Sequence, residues 1–352
     1  MASKTESDIQ NSGSGDTLKE ENQNVTQGMT SRLKSEVFFM FVLIFITAYQ
    51  LTILMQFPDI IKTLAGYGVV FNIANYKWLI PGYIFSHLIY YTLGKLTMRF
   101  WRPLLSSKGT RDNETQEQRV ERCQMYLMAS IYYTSSFIFT FIVAQQEDMV
   151  PLVYGGNLDM NVHLKKWPQP ASYMIQIAYF FSYGHHIERL VHHGVFNRHS
   201  ATYYSMMLHH VITVGLIAIS YQMEYCCYGI PVLLLLDVSD CLLHVARFLR
   251  ETNYAITSKV TFVIMSVFWL QGRVFGLAYE ILLAVFDLCK KNTPFLKKYY
   301  GMHLYYFTGL FILWILNVFW LYQIVKVFVT VFVKKSTKLE YEDSYMKKKK
   351  SA

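Results

Sequence analysis

The sequence predicts an all-α polytopic membrane protein. Hydrophobic residues make up 53% of the 352 residues and charged residues only 16%, whereas a soluble domain carries roughly 25% charged residues. The apolar residues are also gathered into runs of about 20, the length of a helix that spans the hydrocarbon core of a bilayer. These features exclude a disordered or fibrous chain and argue against an ordinary water-soluble enzyme.

Eight stretches have the length and composition of a transmembrane helix. The polar tail before them, residues 1–35, lacks the apolar core of a signal peptide, so we expect a disordered cytosolic segment. The fourth and fifth stretches contain histidines, and the count falls to seven if one of them is re-entrant. The predicted spans lie near residues 36–57, 78–98, 124–144, 171–191, 203–221, 228–248, 259–288 and 303–333.

The positive charges predict that both chain ends face the cytosol. An even number of spans puts the ends on one side, and that side then carries 22 Lys and Arg against 8 on the other, as cytosolic loops usually do. The chain ends in KKKKSA, with lysines third and fourth from the end. That is the form of a dilysine retrieval signal, so we predict a multi-pass protein of the endoplasmic reticulum membrane. A simple basic tail is the alternative.

Ionisable side chains inside two spans form the main candidate site. Each costs roughly 2.5–3.5 kcal/mol to insert, so such residues are functional candidates by default. The fifth span carries His209 and His210, and the sixth carries Asp237 and Asp240. The helical rise places all four about 10–15 Å below the same membrane surface, so we expect them to meet. An imidazole beside a carboxylate can serve as general base or nucleophile; the alternative is packing between helices.

Four further residues are candidates for binding a substrate. Trp269 and Arg273 lie one turn apart in the seventh span, and a buried arginine needs either an internal carboxylate or a bound anion. Arg198 and Arg247 flank the predicted cytosolic mouth of the fifth and sixth spans. There they either contact phosphate groups or only determine topology. Arg250 and Lys259 have the same two interpretations.

The histidines and cysteines do not predict a metal site. The chain has 11 histidines, but the residues two and three before His192 are Leu190 and Arg189, so there is no HxxHH box. The five cysteines form no CxxC pair. We therefore expect neither a metal nor a cofactor. The role of four histidines in and just after the fourth span stays open: His185, His186, His192 and His193.

The segment 209–254 resembles the signature of the TLC-domain ceramide synthases, the longevity-assurance family. The similarity rests on the histidine pair followed by Thr213 and on the stretch DVSD at 237–240, with weaker similarity over roughly 115–330. Leu236 before DVSD, together with the lack of a homeobox-like insert after the first span, resembles the fungal or protist type.

The resemblance implies a helical bundle around a lipid cavity and a catalytic domain over 115–333. Two helices and a cytosolic loop would precede it in 36–114, and a basic cytosolic tail would follow in 334–352. It also implies transfer of a fatty acyl group from acyl-CoA, as co-substrate, to the amine of a sphingoid base. The histidine pair and the two aspartates would correspond to the family's catalytic positions.

Several alternatives stay open at this stage. The histidine can act through a covalent acyl-imidazole or as a direct general base. A non-enzymatic TLC-domain protein, translocon-associated or lipid-sensing, and an acyltransferase for another amine or alcohol lipid are the rival functions. The expected partners are the two substrates and membrane lipids, with a homodimer or a small accessory membrane subunit left open and no nucleic acid expected. In the resembling family the last lumenal loop, here 290–302, influences acyl-chain length.

Overall fold

A computed structural model describes most of the chain beyond residue 78. The described residues are 59, 62, 79–105, 115–165, 170–196, 202–252, 254–290, 297 and 300–333. The first predicted span, both predicted tails and Arg198 lie outside them. The division into domains at 36–114, 115–333 and 334–352 therefore stays a prediction.

The described residues form helices, and these residues contain no β-strand. The helices, in chain order, are α1 (79–101, which comprises Leu79–His87, the π-helical turn Leu88–Leu93 and Gly94–Trp101), α2 (Gln116–Gln146), α3 (Met160–Lys165), α4 (Tyr173–Phe196), α5 (Tyr203–Gln222), α6 (Cys226–Arg250), α7 (Ala255–Lys290) and α8 (300–333).

The prediction of an all-α membrane protein is confirmed. Five helices are long and apolar enough to cross a bilayer, namely α2, α5, α6, α7 and α8. The predicted second and fourth spans fall on α1 and α4, which the structure also shows as helices. Because the first predicted span lies outside the described residues, the count of eight stays a prediction.

Helix α6 is the centre of the bundle. Of its most apolar 18-residue window, 72% is buried inside the protein, against 22% for α8. Helices α2 and α7 pack along α6, α4 packs between α1 and α5, and α8 packs against α5 and α7. The unbroken apolar run 232–236 in α6 is buried on all sides, as expected for a helix that is hydrophobic around its circumference.

Two local features shape helices α2 and α7. At the start of α2, the Thr115 hydroxyl accepts a hydrogen bond from the amide of Gln118, whose side chain accepts one from the amide of Thr115. This capping box begins the helix sharply. In α7, residues Trp269–Leu282 form wide π-helical turns. Such turns are frequent at functional sites, and this one contains Arg273.

Candidate active site

The two histidines of α5 are buried inside the bundle. The exposed fraction is 8% for His209 and 6% for His210. The Nδ1 atoms of both rings and the hydroxyl of Thr213 have no hydrogen-bond partner among the described residues. Buried polar atoms almost always have a partner. Three unsatisfied atoms within two turns of one helix therefore mark a place where a polar ligand or water can bind.

The two aspartates of α6 face other helices and not the histidine pair. Asp237 accepts a hydrogen bond from the Ser136 hydroxyl of α2 at 2.6 Å. Asp240 forms an ion pair with Arg273 of α7 at 2.5 Å. No described hydrogen bond or ion pair joins either aspartate to His209 or His210, so the expectation of a direct carboxylate–imidazole contact was wrong.

The reason for this outcome lies with Arg273. Its side chain is 2% exposed, and an uncompensated guanidinium inside the bundle is strongly unfavourable. It donates hydrogen bonds to the Ser239 hydroxyl at 2.5 Å, the Leu236 carbonyl at 2.6 Å and the Asn317 side chain at 3.2 Å. Asp240 supplies the compensating charge and is therefore engaged by α7.

Trp269 and Arg273 share a face of α7, as their spacing predicts. The Arg273 guanidinium lies 4.1 Å from the centre of the Trp269 ring, a cation–π contact. The Trp269 ring contacts Trp320 of α8 edge-on at 6.3 Å, and Trp320 contacts His209 edge-on at 5.4 Å. A chain of contacts through Trp269 and Trp320 thus connects Arg273 with His209.

Helix α8 contributes two residues that the sequence analysis did not select. Asn317 is fully buried, and its side chain accepts from Arg273 and donates to the Leu313 carbonyl. Its backbone carbonyl accepts from the Trp269 indole. An amide in the middle of an otherwise apolar run, residues 310–322, is a signal that could have identified Asn317. No sequence signal distinguishes Trp320 from the other aromatic residues of α8.

The structure places two of the unassigned histidines next to the candidate pair. The rings of His186 and His193 in α4 lie 6.5 and 5.9 Å from the ring of His210. His185 turns away and pairs with the Ser86 hydroxyl of α1 at 2.8 Å. His192 contacts Tyr91 instead. The packing of α4 on α5 therefore surrounds His210 with imidazoles, a grouping that sequence spacing alone did not reveal.

A narrow apolar cavity begins one turn from the histidine pair. Its volume is about 30 Å³, roughly the space of one water molecule. One end is formed by Thr213 and Leu236. Thr213 lies one turn after His209 in α5, and Leu236 directly precedes Asp237 in α6. The cavity then follows α5 for about 10 Å. Its lining residues are Tyr179, Thr213, Leu216, Ile217, Ser220, Gly229, Val232, Leu233, Leu236, Tyr306, Leu310 and Leu313.

Arg247 lies where α6 reaches the predicted cytosolic surface. Its side chain is exposed, and its guanidinium is 5.8 Å from the centre of the Tyr126 ring of α2. Arg247 is therefore separate from the buried residues of the candidate site.

The chain is similar to curated proteins that are named ceramide synthases. It is 24% identical over 211 residues to ceramide synthase hyl-2 of Caenorhabditis elegans, which covers 60% of this chain and 59% of the relative. It is 23% identical over 214 residues to ceramide synthase LOH2 of Arabidopsis thaliana, which covers 58% of this chain and 68% of the relative.

A human relative and a family model complete the comparison. Ceramide synthase 1 of Homo sapiens is 26% identical over 164 residues, 44% of each chain. The chain thus spans less than two thirds of the length of the worm and human proteins. The TLC domain model matches residues 122–326, which is more than half of this chain and includes α4–α7 and most of α2 and α8. The chain therefore belongs to the TLC-domain family.

Proposed function

We propose that this protein is a sphingoid-base N-acyltransferase, a ceramide synthase that uses acyl-CoA as the acyl donor. The observation that carries the proposal is the buried His209–His210 pair, whose Nδ1 atoms have no hydrogen-bond partner among the described residues and which lies one helical turn from an apolar cavity. The curated relatives named ceramide synthases support the same function.

The chemistry requires only that one imidazole removes a proton or accepts the acyl group. In the direct route, the amine nitrogen attacks the thioester carbon while an imidazole takes the amine proton. A C–N bond forms, the C–S bond breaks, and CoA leaves as the thiol after taking up a proton. In the covalent route, an imidazole nitrogen attacks the thioester carbon, the C–S bond breaks and CoA leaves as the thiol; the amine then displaces the imidazole from the acyl group and loses a proton. Both routes fit an unpartnered ring nitrogen.

Asp240 and Arg273 act through positioning in this proposal. Their ion pair ties α6 to α7, and Trp269 and Trp320 transmit that placement to the His209 ring through direct contacts. Asp237 also acts through positioning, because its hydrogen bond from Ser136 ties α6 to α2. The cavity beside Thr213 and Leu236 is the path proposed for the acyl chain, and it must widen when substrate binds.

The test is an assay of the purified full-length protein with palmitoyl-CoA and dihydrosphingosine. We expect amide product from the native chain and a loss of about 100-fold or more in His209→Ala and His210→Ala. His163→Ala is the matched control, because His163 bonds the carbonyl of Asp148 outside the site. Folded native protein that makes no amide would overturn the proposal in favour of a non-enzymatic TLC-domain protein.

The proposed location is the endoplasmic reticulum membrane, with both chain ends in the cytosol. The support is the run of lysines at 347–350 and the gathering of arginines at one end of α2 and α6. Replacing Lys349 and Lys350 with Ser should release a tagged protein to later compartments. The same change at Lys347 and Lys348 is the control, since these lysines lie outside the third and fourth positions from the end. Equal retention of both variants contradicts the retrieval signal.

A further inference from the structure

An imidazole of α4 lies beside the histidine pair and has no part in the reaction as proposed. The ring of His186 is 6.5 Å from the ring of His210 and 5.5 Å from that of His185. His186 is only 8% exposed, and its Nδ1 atom has no hydrogen-bond partner among the described residues. It is therefore a buried polar group whose needs are not met by the described part of the chain.

The neighbouring His185 shows how a histidine of α4 is used in packing. Its Nδ1 pairs with the Ser86 hydroxyl at 2.8 Å, its Nε2 lies 3.5 Å from the Tyr133 hydroxyl, and its ring stacks on Tyr132 at 3.6 Å. Both of its ring nitrogens thus have partners in α1 or α2. His186 lies instead on the side of α4 that packs against α5. Packing between helices therefore explains His185 and leaves His186 unexplained.

Helix α5 presents three further polar atoms without a partner on the side of the candidate site. They are the Nδ1 atoms of His209 and His210, whose ring centres are 5.2 Å apart, and the hydroxyl of Thr213. The proposed reaction uses one imidazole nitrogen. Burying the other polar atoms without hydrogen bonds is unfavourable. A ligand that brings more than one polar group is therefore a better match to this site than an amine alone.

The imidazoles around His210 are not arranged to hold a metal ion. His186 and His193 are seven residues apart in α4, about 10 Å along the helix axis, so they approach His210 from two different levels. Over the described ranges of the chain, no three or more His, Cys, Asp or Glu side chains are grouped as metal ligands. The unpartnered nitrogens therefore call for an organic ligand that forms hydrogen bonds.

The chemistry of these atoms suits a hydroxyl group. A neutral imidazole has one nitrogen that donates and one that accepts, and the tautomer decides which of them is Nδ1. A hydroxyl group both donates and accepts, so it pairs with either tautomer. The acyl donor presents a carbonyl oxygen and a sulfur atom at its reacting end, and neither of these can donate. The hydroxyl group is therefore best supplied by the acyl acceptor.

We infer that His186 binds a hydroxyl group of the sphingoid base, next to the amine that reacts at the His209–His210 pair. The inference rests on the proposed function. In a sphingoid base the carbon that carries the amine is bonded to two carbons that carry hydroxyl groups. An amine at His210 therefore brings a hydroxyl group toward the adjacent imidazole. His186 is then a specificity-determining residue, because a site that bonds a substrate hydroxyl discriminates against an analogue without it.

The test measures binding without acyl-CoA, so that no reaction takes place. The full-length protein in phosphatidylcholine nanodiscs is titrated with dihydrosphingosine and with octadecylamine, which has the amine and no hydroxyl group. His186→Phe keeps an aromatic ring and removes both ring nitrogens. We expect it to weaken the binding of dihydrosphingosine about tenfold, the effect of one lost hydrogen bond, and to leave the binding of octadecylamine unchanged.

Two further variants separate recognition from packing. His186→Asn keeps a donor and an acceptor and should restore part of the affinity for dihydrosphingosine. His192→Phe makes the same aromatic substitution in α4, at a ring that contacts Tyr91 and not α5. It should bind both amines with the native dissociation constants.

An equal loss for both amines in His186→Phe, or a loss for neither, would overturn the inference. So would a native chain that binds octadecylamine as tightly as dihydrosphingosine. A loss confined to 1-stearoylglycerol, a lipid with hydroxyl groups and no amine, would overturn it in favour of another lipid. Binding of dihydrosphingosine that depends on His186, in a protein that forms no amide, would refute the proposed function alone. Amide synthesis in which His186→Phe keeps the native preference for dihydrosphingosine over octadecylamine would refute the inference alone.

Discussion

Arg273 of α7 and Asp240 of α6 form an ion pair at 2.5 Å inside the bundle. Arg273 also bonds Ser239, the Leu236 carbonyl and Asn317, so it joins three helices at one point. This relationship engages Asp240 with α7 and ties α6 and α8 to the helix that carries Trp269.

Breaking this ion pair from one side should destabilise the protein more than removing both charges. Asp240→Asn leaves the buried guanidinium uncompensated, and loss of one partner of a buried pair costs about 3–5 kcal/mol. Combining it with Arg273→Met should recover part of that loss. Thermal unfolding of the purified variants in detergent measures both effects. Melting temperatures that fall additively in the double variant would contradict this account.

The close approach of α4 and α6 depends on a residue without a side chain. A Cβ atom at Gly229 would collide with the Tyr179 hydroxyl, which bonds Ser220 at 3.3 Å. Gly229→Ala should therefore destabilise the protein by about 1–3 kcal/mol, the usual result of overpacking. Tyr179→Phe removes the colliding oxygen and should rescue part of the loss in the double variant. Thermal unfolding without any rescue would show that the collision is not the cause.

A larger side chain in the apolar cavity should change the choice of acyl chain. Leu313 of α8 lines the cavity and is 1% exposed, so Leu313→Phe narrows the proposed acyl path. With an equimolar mixture of acyl-CoAs, the fraction of longer-chain amide should fall relative to shorter-chain amide. Leu304→Phe is the matched control, because Leu304 of the same helix is 42% exposed. The same product spectrum in both variants would exclude this path.

The turn between α5 and α6 contains a group that should make stability depend on pH. Burial raises the pKa of Glu224 to about 7, above its usual value near 4.5. The folded state therefore holds this proton more tightly than the unfolded state, and Glu224 contributes stability at low pH that is lost as pH rises from about 4.5 to 7.

A pH series of melting temperatures checks this expectation. Glu224→Gln cannot lose a proton, so the variant should gain stability relative to the native chain as pH increases from 5 to 8. Asp287→Asn is the control, because it makes the same change from carboxyl to amide at a side chain that is 71% exposed. Parallel pH curves for the native chain and Glu224→Gln would rule out a contribution from this carboxyl group.

The spacing of residues along single helices predicted part of the site. The packing between helices decided which of these residues are in contact. The one-turn spacing of Trp269 and Arg273 predicted their shared face, since the geometry of a helix depends only on neighbours in sequence. The depth of His209 and Asp240 was also argued from helical rise. The predicted contact between them is not formed, because equal depth in the membrane does not specify how each helix is rotated toward its neighbours. The closeness of His186 to His210 was missed for the same reason.

The sequence by itself determined that this chain is an α-helical membrane protein, where its histidine and aspartate pairs lie along their helices, and which family its signature resembles. Composition, run length and helical spacing are local properties, so they can be determined before folding. Only the tertiary structure decided that Asp240 neutralises Arg273, that two tryptophans connect that pair with His209 through ring contacts, and that Glu251 gathers arginines from α2 and α6. Those choices depend on which faces pack together, because a buried charge takes whichever counter-charge the neighbouring helix presents.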